Sequence, residues 1–175
     1  MEPLKIYKVE DKYIRYLHSR DGKVQYNKNA SRPYVGVVLD FAGMKYFVPM
    51  ESPKPNHKNI KAGKHILKIK NGEYGILGFN NMIPVNKDAL IIVDIDAEKD
   101  EKYKRLLQRQ ILACNKMKAD IYNHAQMTYF DVTLNTNKFL VGISCDFKAL
   151  EKACREYKKD YNPRKNKCKI VSRKT

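Results

Sequence analysis

Two hairpin signals in the first half of the chain most constrain what it can fold into. In the first, the runs YVGVVLD and MKYFVPM, rich in β-branched and aromatic residues, flank the tight-turn segment Phe41-Ala42-Gly43. In the second, KHILKIK and EYGILGF flank Asn71-Gly72, a pair that favours the two-residue turn of a β-hairpin. Together with the short runs LKIYKV, IPV and ALIIVDI, these signals predict an antiparallel sheet of about five to seven strands, curled enough to form a small barrel.

The pattern changes to a helical period in the second half of the chain. Apolar residues recur at spacings of three and four positions over residues 103–121, which predicts one long amphipathic helix. FLVGIS predicts a strand or a buried turn, and Asp146 is placed to cap a further helix over FKALEKACREYKK. EDKYIRYLHS near the N-terminus also has helical spacing. The predicted fold class is therefore α+β.

The charge balance narrows the class of partner. The chain carries 35 Lys and Arg against 19 Asp and Glu, a formal net charge of +16 that attracts polyanions at long range. The positive charge is spread along the whole chain, which favours a nucleic-acid groove over a single basic helix on a membrane surface. A lysine-rich surface that only keeps the protein in solution explains the charge equally well when the charge is taken alone.

Length and cysteine usage indicate one cytoplasmic domain. We expect a single domain over residues 1–162 and a basic tail over 163–175. No stretch is apolar for the ~20 residues that a spanning helix requires, and the N-terminal residues lack the apolar core of a signal peptide. The cysteines are Cys114, Cys145, Cys154 and Cys168. Their spacing is not that of zinc ligands, and they are too dispersed to form a disulfide framework.

No sequence motif predicts a metal ion or an organic cofactor. The acidic run at residues 94–98 resembles the start of a calcium loop, but Lys99 and Arg105 occupy the positions where that loop needs Gly and Glu. Acidic residues at the N-terminus of a helix explain the run better. The serine-hydrolase elbow, the phosphate-binding loop and the dinucleotide fingerprint are absent from the sequence.

The proline-rich loop ESPKPNHK, at residues 51–58, is the strongest candidate for chemistry. Prolines fix φ, so this loop is stiff and presents Ser52 and Lys54 in a defined geometry at the end of a strand. An ordinary exposed turn explains the same residues, and from the residues alone it is the favoured explanation.

Five blocks of sequence carry a resemblance to a known family. They are YIRYL (13–17), YVGVVL (34–39), YFVP with the following SPK (46–54), LGFNNMIPV (77–85) and YKRLL (103–107). In order and spacing they resemble the ToxN/AbiQ family, the endoribonuclease toxins of type III toxin–antitoxin and phage abortive-infection systems, over roughly residues 5–160. The resemblance implies a barrel-like antiparallel sheet decorated with helices, similar to the Kid/MazF toxins.

The resemblance also implies an activity and a partner. The activity is metal-independent cleavage of RNA that leaves a 2′,3′-cyclic phosphate and a 5′-hydroxyl. The partner is a repeat-encoded antitoxin RNA, folded as a pseudoknot, which inhibits the toxin and closes with it into a ring-like complex. From the residues themselves, Tyr side chains over residues 7–34 can stack on single-stranded bases, so one groove can hold either substrate or antitoxin RNA.

Residue by residue, the resemblance places Ser52 and Lys54 on the family's catalytic S-P-K motif and Tyr13 on its N-terminal active-site tyrosine. Arg32 corresponds to the basic residue before the V-G-V strand and completes the catalytic candidates. Glu51 departs from the family, which has a small hydroxyl residue before the serine. A carboxylate beside a scissile phosphate repels it, so Glu51 either points away or takes part in proton transfer. The candidate RNA-binding residues are Tyr26, Lys28, Glu51, His57 and Lys58.

Cleavage without a metal ion needs a base, an acid and positive charge around a phosphate that the RNA's own 2′-hydroxyl attacks. Lys54 either supplies the charge, which we prefer, or acts as the base. Ser52 is suited to donate a hydrogen bond to the phosphate, and Arg32 offers a two-pronged contact. His57 titrates in the range of a general acid, but an RNA-facing donor or a bystander fits equally.

Two other functions compete with this interpretation. A non-catalytic RNA-binding module would use the same basic surface and aromatic residues. A DNA-binding regulator would place the predicted long helix in a groove of the duplex, but the apolar stripe over residues 103–121 is needed by the core.

Overall fold

The strands and one α-helix occupy the first part of the described chain, and the other α-helices follow the last strand. The computed structural model describes residues 2–27, 29 and 31–158. Within these residues the strands are β1 (Lys5–Val9), β2 (Tyr34–Phe41), β3 (Met44–Glu51), β4 (Ile66–Lys68), β5 (Ile76–Gly78), β6 (Ile83–Pro84) and β7 (Leu90–Ile92). The helices are α1 (Asp11–His18), α2 (Glu101–Lys116), α3 (Lys118–Thr133), α4 (Lys138–Ile143) and α5 (Phe147–Glu156). The predicted α+β class is confirmed, whereas the tail over 163–175 lies outside the described residues.

The sheet is open, so the predicted barrel is wrong. The strands follow the order β4-β5-β3-β2-β1-β7, and β6 pairs with β3 beside that path. Every pairing is antiparallel. The end strands β4 and β7 contain three residues each and do not pair with one another. Helices cover the sheet instead, since α3 packs against β2 and α5 packs against β6. The finer comparison with the Kid/MazF toxins stays a prediction.

The first hairpin has the predicted tight turn. Phe41 pairs with Met44, so Ala42 and Gly43 form a two-residue loop. Both loop residues have positive φ, 49° and 76°, as the favoured hairpin turn requires. This hairpin forms the centre of the sheet and delivers the end of β3 to the loop that follows it.

The second hairpin pairs as predicted, but its connection is longer. β4 and β5 are antiparallel, with Leu67 opposite Leu77. The chain between them runs through a 3₁₀ turn (Ile69–Gly72) in which Lys70 and Asn71 have positive φ. The predicted two-residue turn is therefore wrong. The longer connection packs against the loop after β3.

The predicted long helix is two helices that meet at Met117. α2 ends at Lys116 and α3 begins at Lys118, while Met117 has ψ 26°, outside the helical region. Leu107, Cys114 and Ile121 are all buried and lie seven positions apart. Because the apolar stripe continues across the break, the periodicity of the sequence does not reveal it.

Local sequence patterns predicted the last helix, α5, correctly and the one before it, α4, incorrectly. The segment FLVGIS forms most of α4, a short helix that Asn137 caps, so the predicted strand or buried turn is wrong. Asp146 caps α5 as predicted, because its side chain accepts a hydrogen bond from the N–H of Ala149 at 3.0 Å.

Candidate active site

A cavity of about 460 Å³ lies where the start of β2, the end of β3 and the start of α2 come together. The N–H of Met50 donates to the carbonyl of Pro33 at 2.9 Å, and Tyr34 pairs with Pro49. These bonds place the segment before β2 beside the segment after β3. The lining residues are Gln25, Ser31, Arg32, Pro33, Met50, Glu51, Ser52, Lys54 and Tyr103.

The loop after β3 is stiff for two reasons. Pro53 and Pro55 restrict its backbone, and Pro55 begins a 3₁₀ turn (Pro55–Lys58) in which the N–H of His57 donates to the carbonyl of Lys54 at 3.0 Å. The β4–β5 connection also supports the loop from behind. A Cβ atom on Gly75 would lie 2.0 Å from the carbonyl oxygen of Glu51, a closeness that only glycine allows.

Lys54 and Glu51 form an ion pair in the cavity. The Nζ of Lys54 donates to Oε2 of Glu51 at 2.9 Å, and both side chains are partly exposed, 58% and 31%. Burial raises the pKa of the Glu51 carboxyl, but the hydrogen bond and charge of Lys54, with Arg32 and His57 adding to them, outweigh burial. The net pKa of Glu51 lies below its ordinary value, so this side chain is a carboxylate at neutral pH.

Arg32 faces the cavity from the opposite segment. Its Nη1 donates to Oε1 of Gln25 at 2.6 Å, which orients the guanidinium. Its buried Nε has no hydrogen-bond partner among the residues the structure describes. A guanidinium at the wall of the cavity is suited to bind an anion that enters it.

His57 lies behind the ion pair and is buried, with only 1% of its surface exposed. Its Nε2 is 3.9 Å from Oε2 of Glu51, too long for a hydrogen bond, and within the described part of the chain its Nδ1 has no partner. Burial lowers the pKa of His57, the nearby Glu51 raises it, and Lys54 lowers it again, with a net fall. The imidazole is therefore neutral at neutral pH and does not line the cavity.

The structure thus brings together Ser52, Lys54, Arg32 and Glu51 of the predicted site residues. Tyr13 is not among them. Its ring is fully buried in the core against Tyr157, and its hydroxyl donates to the carbonyl of Pro84 at 2.8 Å. This position does not fit the direct contact with RNA that the resemblance implies.

Two of the remaining RNA-binding candidates, Tyr26 and Lys58, lie outside the cavity lining. Tyr26 is 58% exposed and its ring lies 4.0 Å from that of His18, centre to centre. Lys58 is exposed, and its carbonyl accepts a hydrogen bond from Lys68 at 2.7 Å. Lys28 lies outside the described residues.

Sequence reasoning missed Tyr103, which lines the cavity from α2. Its helical spacing predicts a core position, yet the ring is only half-buried and also borders a second groove of about 800 Å³. Burial raises the pKa of its hydroxyl and Glu98 raises it further, so the hydroxyl is protonated. The only sequence signal was its place in the block YKRLL, which carries part of the family resemblance.

Neither a metal-binding cluster nor a membrane helix occurs in the described part of the chain. Residues 2–27, 29 and 31–158 contain no group of three or more His, Cys, Asp or Glu side chains that could hold a metal ion. Within the same ranges, every helix is too short or too polar to cross a membrane.

Comparisons with known proteins identify the family. The family described as Toxin ToxN, type III toxin-antitoxin system, matches residues 5–155. Endoribonuclease ToxN of Bacillus thuringiensis subsp. kurstaki is 39% identical over 88% of this chain and 84% of its own, and Endoribonuclease AbiQ of Lactococcus lactis subsp. lactis is 33% identical over 89% and 90%.

A solved structure gives the same result. It comes from work on selective toxin inhibition by a non-coding RNA pseudoknot in bacterial type III toxin–antitoxin systems, and it is 33% identical to this chain. The superposition has a TM-score of 0.79 and covers 90% of this chain and 99% of that one. The protein belongs to the ToxN family of type III toxin–antitoxin toxins.

Proposed function

We propose that this member of the ToxN family is an endoribonuclease toxin that cleaves single-stranded RNA sequence-selectively and without a metal ion. The 2′-hydroxyl next to the scissile phosphate attacks the phosphorus, which leaves a 2′,3′-cyclic phosphate and a 5′-hydroxyl. The observation that carries this proposal is the cavity in which Arg32, Ser52 and Lys54 face one another. Three donors around one space match the needs of a phosphate whose negative charge grows in the transition state.

Each of these residues has a role that its chemistry supports. The ammonium of Lys54 and the guanidinium of Arg32 stabilise the negative charge of the transition state, and the Arg32 fork also holds the phosphate in one orientation. The hydroxyl of Ser52 donates a hydrogen bond to a non-bridging oxygen. Tyr13, fully buried, supports this site through the core and does not touch RNA.

The partner that fits this site is an antitoxin RNA with the fold of a pseudoknot, encoded by repeats, which the toxin also processes. Support comes from the relative whose structure concerns toxin inhibition by such an RNA. The net charge of +16 supplies the attraction that a large polyanion needs. The exposed Tyr26, together with Lys28 and Lys58, extends the RNA contact beyond the cavity, and toxin and RNA alternate in a closed ring. These reactions take place in the cytoplasm, in phage abortive infection or plasmid maintenance.

Cleavage assays in a chelating buffer test the proposal. The purified protein is expected to cut single-stranded RNA at defined positions, and Lys54→Ala and Ser52→Ala are expected to lower the cleavage rate by about 100-fold or more while RNA binding persists. Lys70→Ala is a matched control, because Lys70 also pairs with a glutamate three positions away but does not line the cavity. RNA that is bound but never cut in any buffer would establish the alternative, a non-catalytic RNA-binding module.

A further inference from the structure

Glu51 is the last residue of β3, and its carboxylate lines the cavity. We propose that Glu51 is the general base that takes the proton from the attacking 2′-hydroxyl. This inference rests on the proposed function, because the proposed reaction supplies the 2′-hydroxyl nucleophile.

The position of the Glu51 backbone is well defined. Glu51 is the last residue of β3 and pairs with Ile76 of β5, and its carbonyl packs against Gly75. A base must be held within hydrogen-bond reach of the proton that it removes, so a strand end is a better place for it than a free loop. Glu51 stands next to Ser52, which is proposed to bind the same phosphate.

One oxygen of the Glu51 carboxylate is available to a substrate. Lys54 bonds to Oε2, and His57 also lies on the side of Oε2. Oε1 has no hydrogen-bond partner among the described residues, and the side chain is 31% exposed. Oε1 can therefore accept the proton of a ribose 2′-hydroxyl, whether or not Lys54 stays on Oε2.

The cavity offers no other carboxylate among its described lining residues. The groups that face Glu51 are Lys54 and Arg32, which are cationic, the neutral imidazole of His57, and the protonated hydroxyl of Tyr103. Lysine and arginine are protonated at neutral pH and are needed around the phosphate. Glu51 and the neutral His57 can each receive a proton without removing positive charge from the transition state, but His57 is buried and does not line the cavity. Glu51 is therefore the base within reach of a bound RNA.

RNA binding strengthens Glu51 as a base. Lys54 lowers the pKa of Glu51 through a hydrogen bond and through its charge. A phosphate in the cavity competes for Lys54 and adds negative charge beside the carboxylate, and both effects raise the pKa of Glu51. The same lysine that holds the carboxylate in the free protein thus moves to the phosphate in the complex.

Proton transfer to Glu51 accompanies the attack on phosphorus. The 2′-O–H proton moves to Oε1 of Glu51 as the 2′-oxygen forms its bond to phosphorus. The bond between phosphorus and the 5′-oxygen breaks, and the 5′-oxygen takes a proton from water. Glu51 then releases its proton to solvent, so the enzyme returns to its starting state without an oxidant or other co-reactant.

Glu51→Gln tests the proposal, because the amide keeps an oxygen for Lys54 but cannot serve as the base. With saturating RNA in chelator, the single-turnover rate is expected to fall by about 100-fold or more, with RNA affinity unchanged or higher since a negative charge is gone. The wild-type rate is expected to fall at acid pH as Glu51 takes up a proton, and this acid limb should be missing in the variant. An RNA with a 5′-sulfur leaving group should not rescue the variant, because the missing step lies at the nucleophile.

Two further variants complete the experiment. Glu51→Asp keeps a carboxylate but withdraws it by one methylene, so a partial loss of rate with the acid limb retained is expected, even if the glutamine variant folds poorly. Glu73→Gln, which removes a carboxylate from a lysine pair outside the cavity, should leave the rate unchanged.

The outcomes separate this inference from the proposed function. A Glu51→Gln rate within about threefold of wild type, or a defect that the 5′-sulfur substrate repairs, overturns the base role while cleavage itself stands. A wild-type protein that does not cut RNA overturns both.

Discussion

Lys54 and Glu51 bind each other in the space that a phosphate would have to enter. Both side chains are partly exposed, and exposed ion pairs contribute only about 0–1 kcal/mol to stability. Breaking this pair therefore costs little compared with the charge-assisted bonds that a phosphate offers to Lys54. The pair orients Lys54 in the free protein without preventing its transfer to RNA.

At the same scale, the buried His57 makes stability depend on pH. Its pKa is lowered in the folded state, so the unfolded chain binds the proton more tightly and folding becomes less favourable as the pH falls below about 6.5. We predict that urea unfolding at pH 7.5, 6 and 5 will show falling stability for the wild type. His57→Gln should flatten this dependence. An unchanged slope in the variant would show that the imidazole is not held neutral.

At the scale of elements, the site depends on a connection that lies outside it. The β4–β5 connection packs against the loop after β3 at two places, Gly75 against the carbonyl of Glu51 and Gly72 against the carbonyl of His57. Both glycines have positive φ, 103° and 89°. The extra residues in this connection, which make it longer than a two-residue turn, therefore support the cavity.

Gly75→Ala is predicted to disturb both stability and cleavage. Its Cβ would meet the carbonyl oxygen of Glu51 at 2.0 Å, and a φ of 103° is strained for alanine, so a loss of about 2–4 kcal/mol is expected in urea unfolding. Cleavage should fall as well, because the end of β3 has to move. Gly142→Ala in α4 is the matched control, since a Cβ on Gly142 would meet no atom within 4 Å, and it should change stability by no more than about 1 kcal/mol. Equal effects of the two substitutions would contradict this explanation.

At the scale of the whole molecule, the net charge attracts RNA at long range, whereas the shape of the cavity acts only on RNA that is already bound. The net charge of +16 attracts RNA from any direction, but only the cavity brings Arg32, Ser52 and Lys54 to one point. Affinity for RNA should therefore come from many cations, whereas cleavage should depend on few of them.

Salt dependence measures this division. For single-stranded RNA, the logarithm of the binding constant should fall linearly with the logarithm of salt concentration, by about 0.7 per phosphate contact. Arg32→Ala should reduce this slope by about 0.7, as measured by filter binding over a range of salt concentrations. Arg15→Ala, which removes an exposed partner of Asp11 outside the cavity, should leave the slope nearly unchanged. A slope that Arg32→Ala does not alter would argue that Arg32 makes no phosphate contact.

Local patterns in the sequence determined the elements that depend on neighbouring residues. The turn at Ala42 and Gly43, the cap at Asp146 and the helix after Glu10 could all be predicted, because each is specified within a few positions of the chain. The prolines made the loop of Ser52 and Lys54 a candidate site, and the family resemblance added the catalytic assignment. The structure places both residues in one cavity.

Tertiary structure alone decided the features that join distant parts of the chain. These features depend on which surfaces of the protein pack together, and the spacing of apolar residues along the chain does not show this. They are the open edge of the sheet, the break at Met117, and the burial of Tyr13 and His57. The same is true of Tyr103, whose helical spacing is that of a core residue although its ring borders the cavity. The sequence by itself specified a basic α+β protein of the ToxN family with a candidate loop. Packing of that loop against the β4–β5 connection decided that Glu51, and not His57, faces the space where RNA would bind.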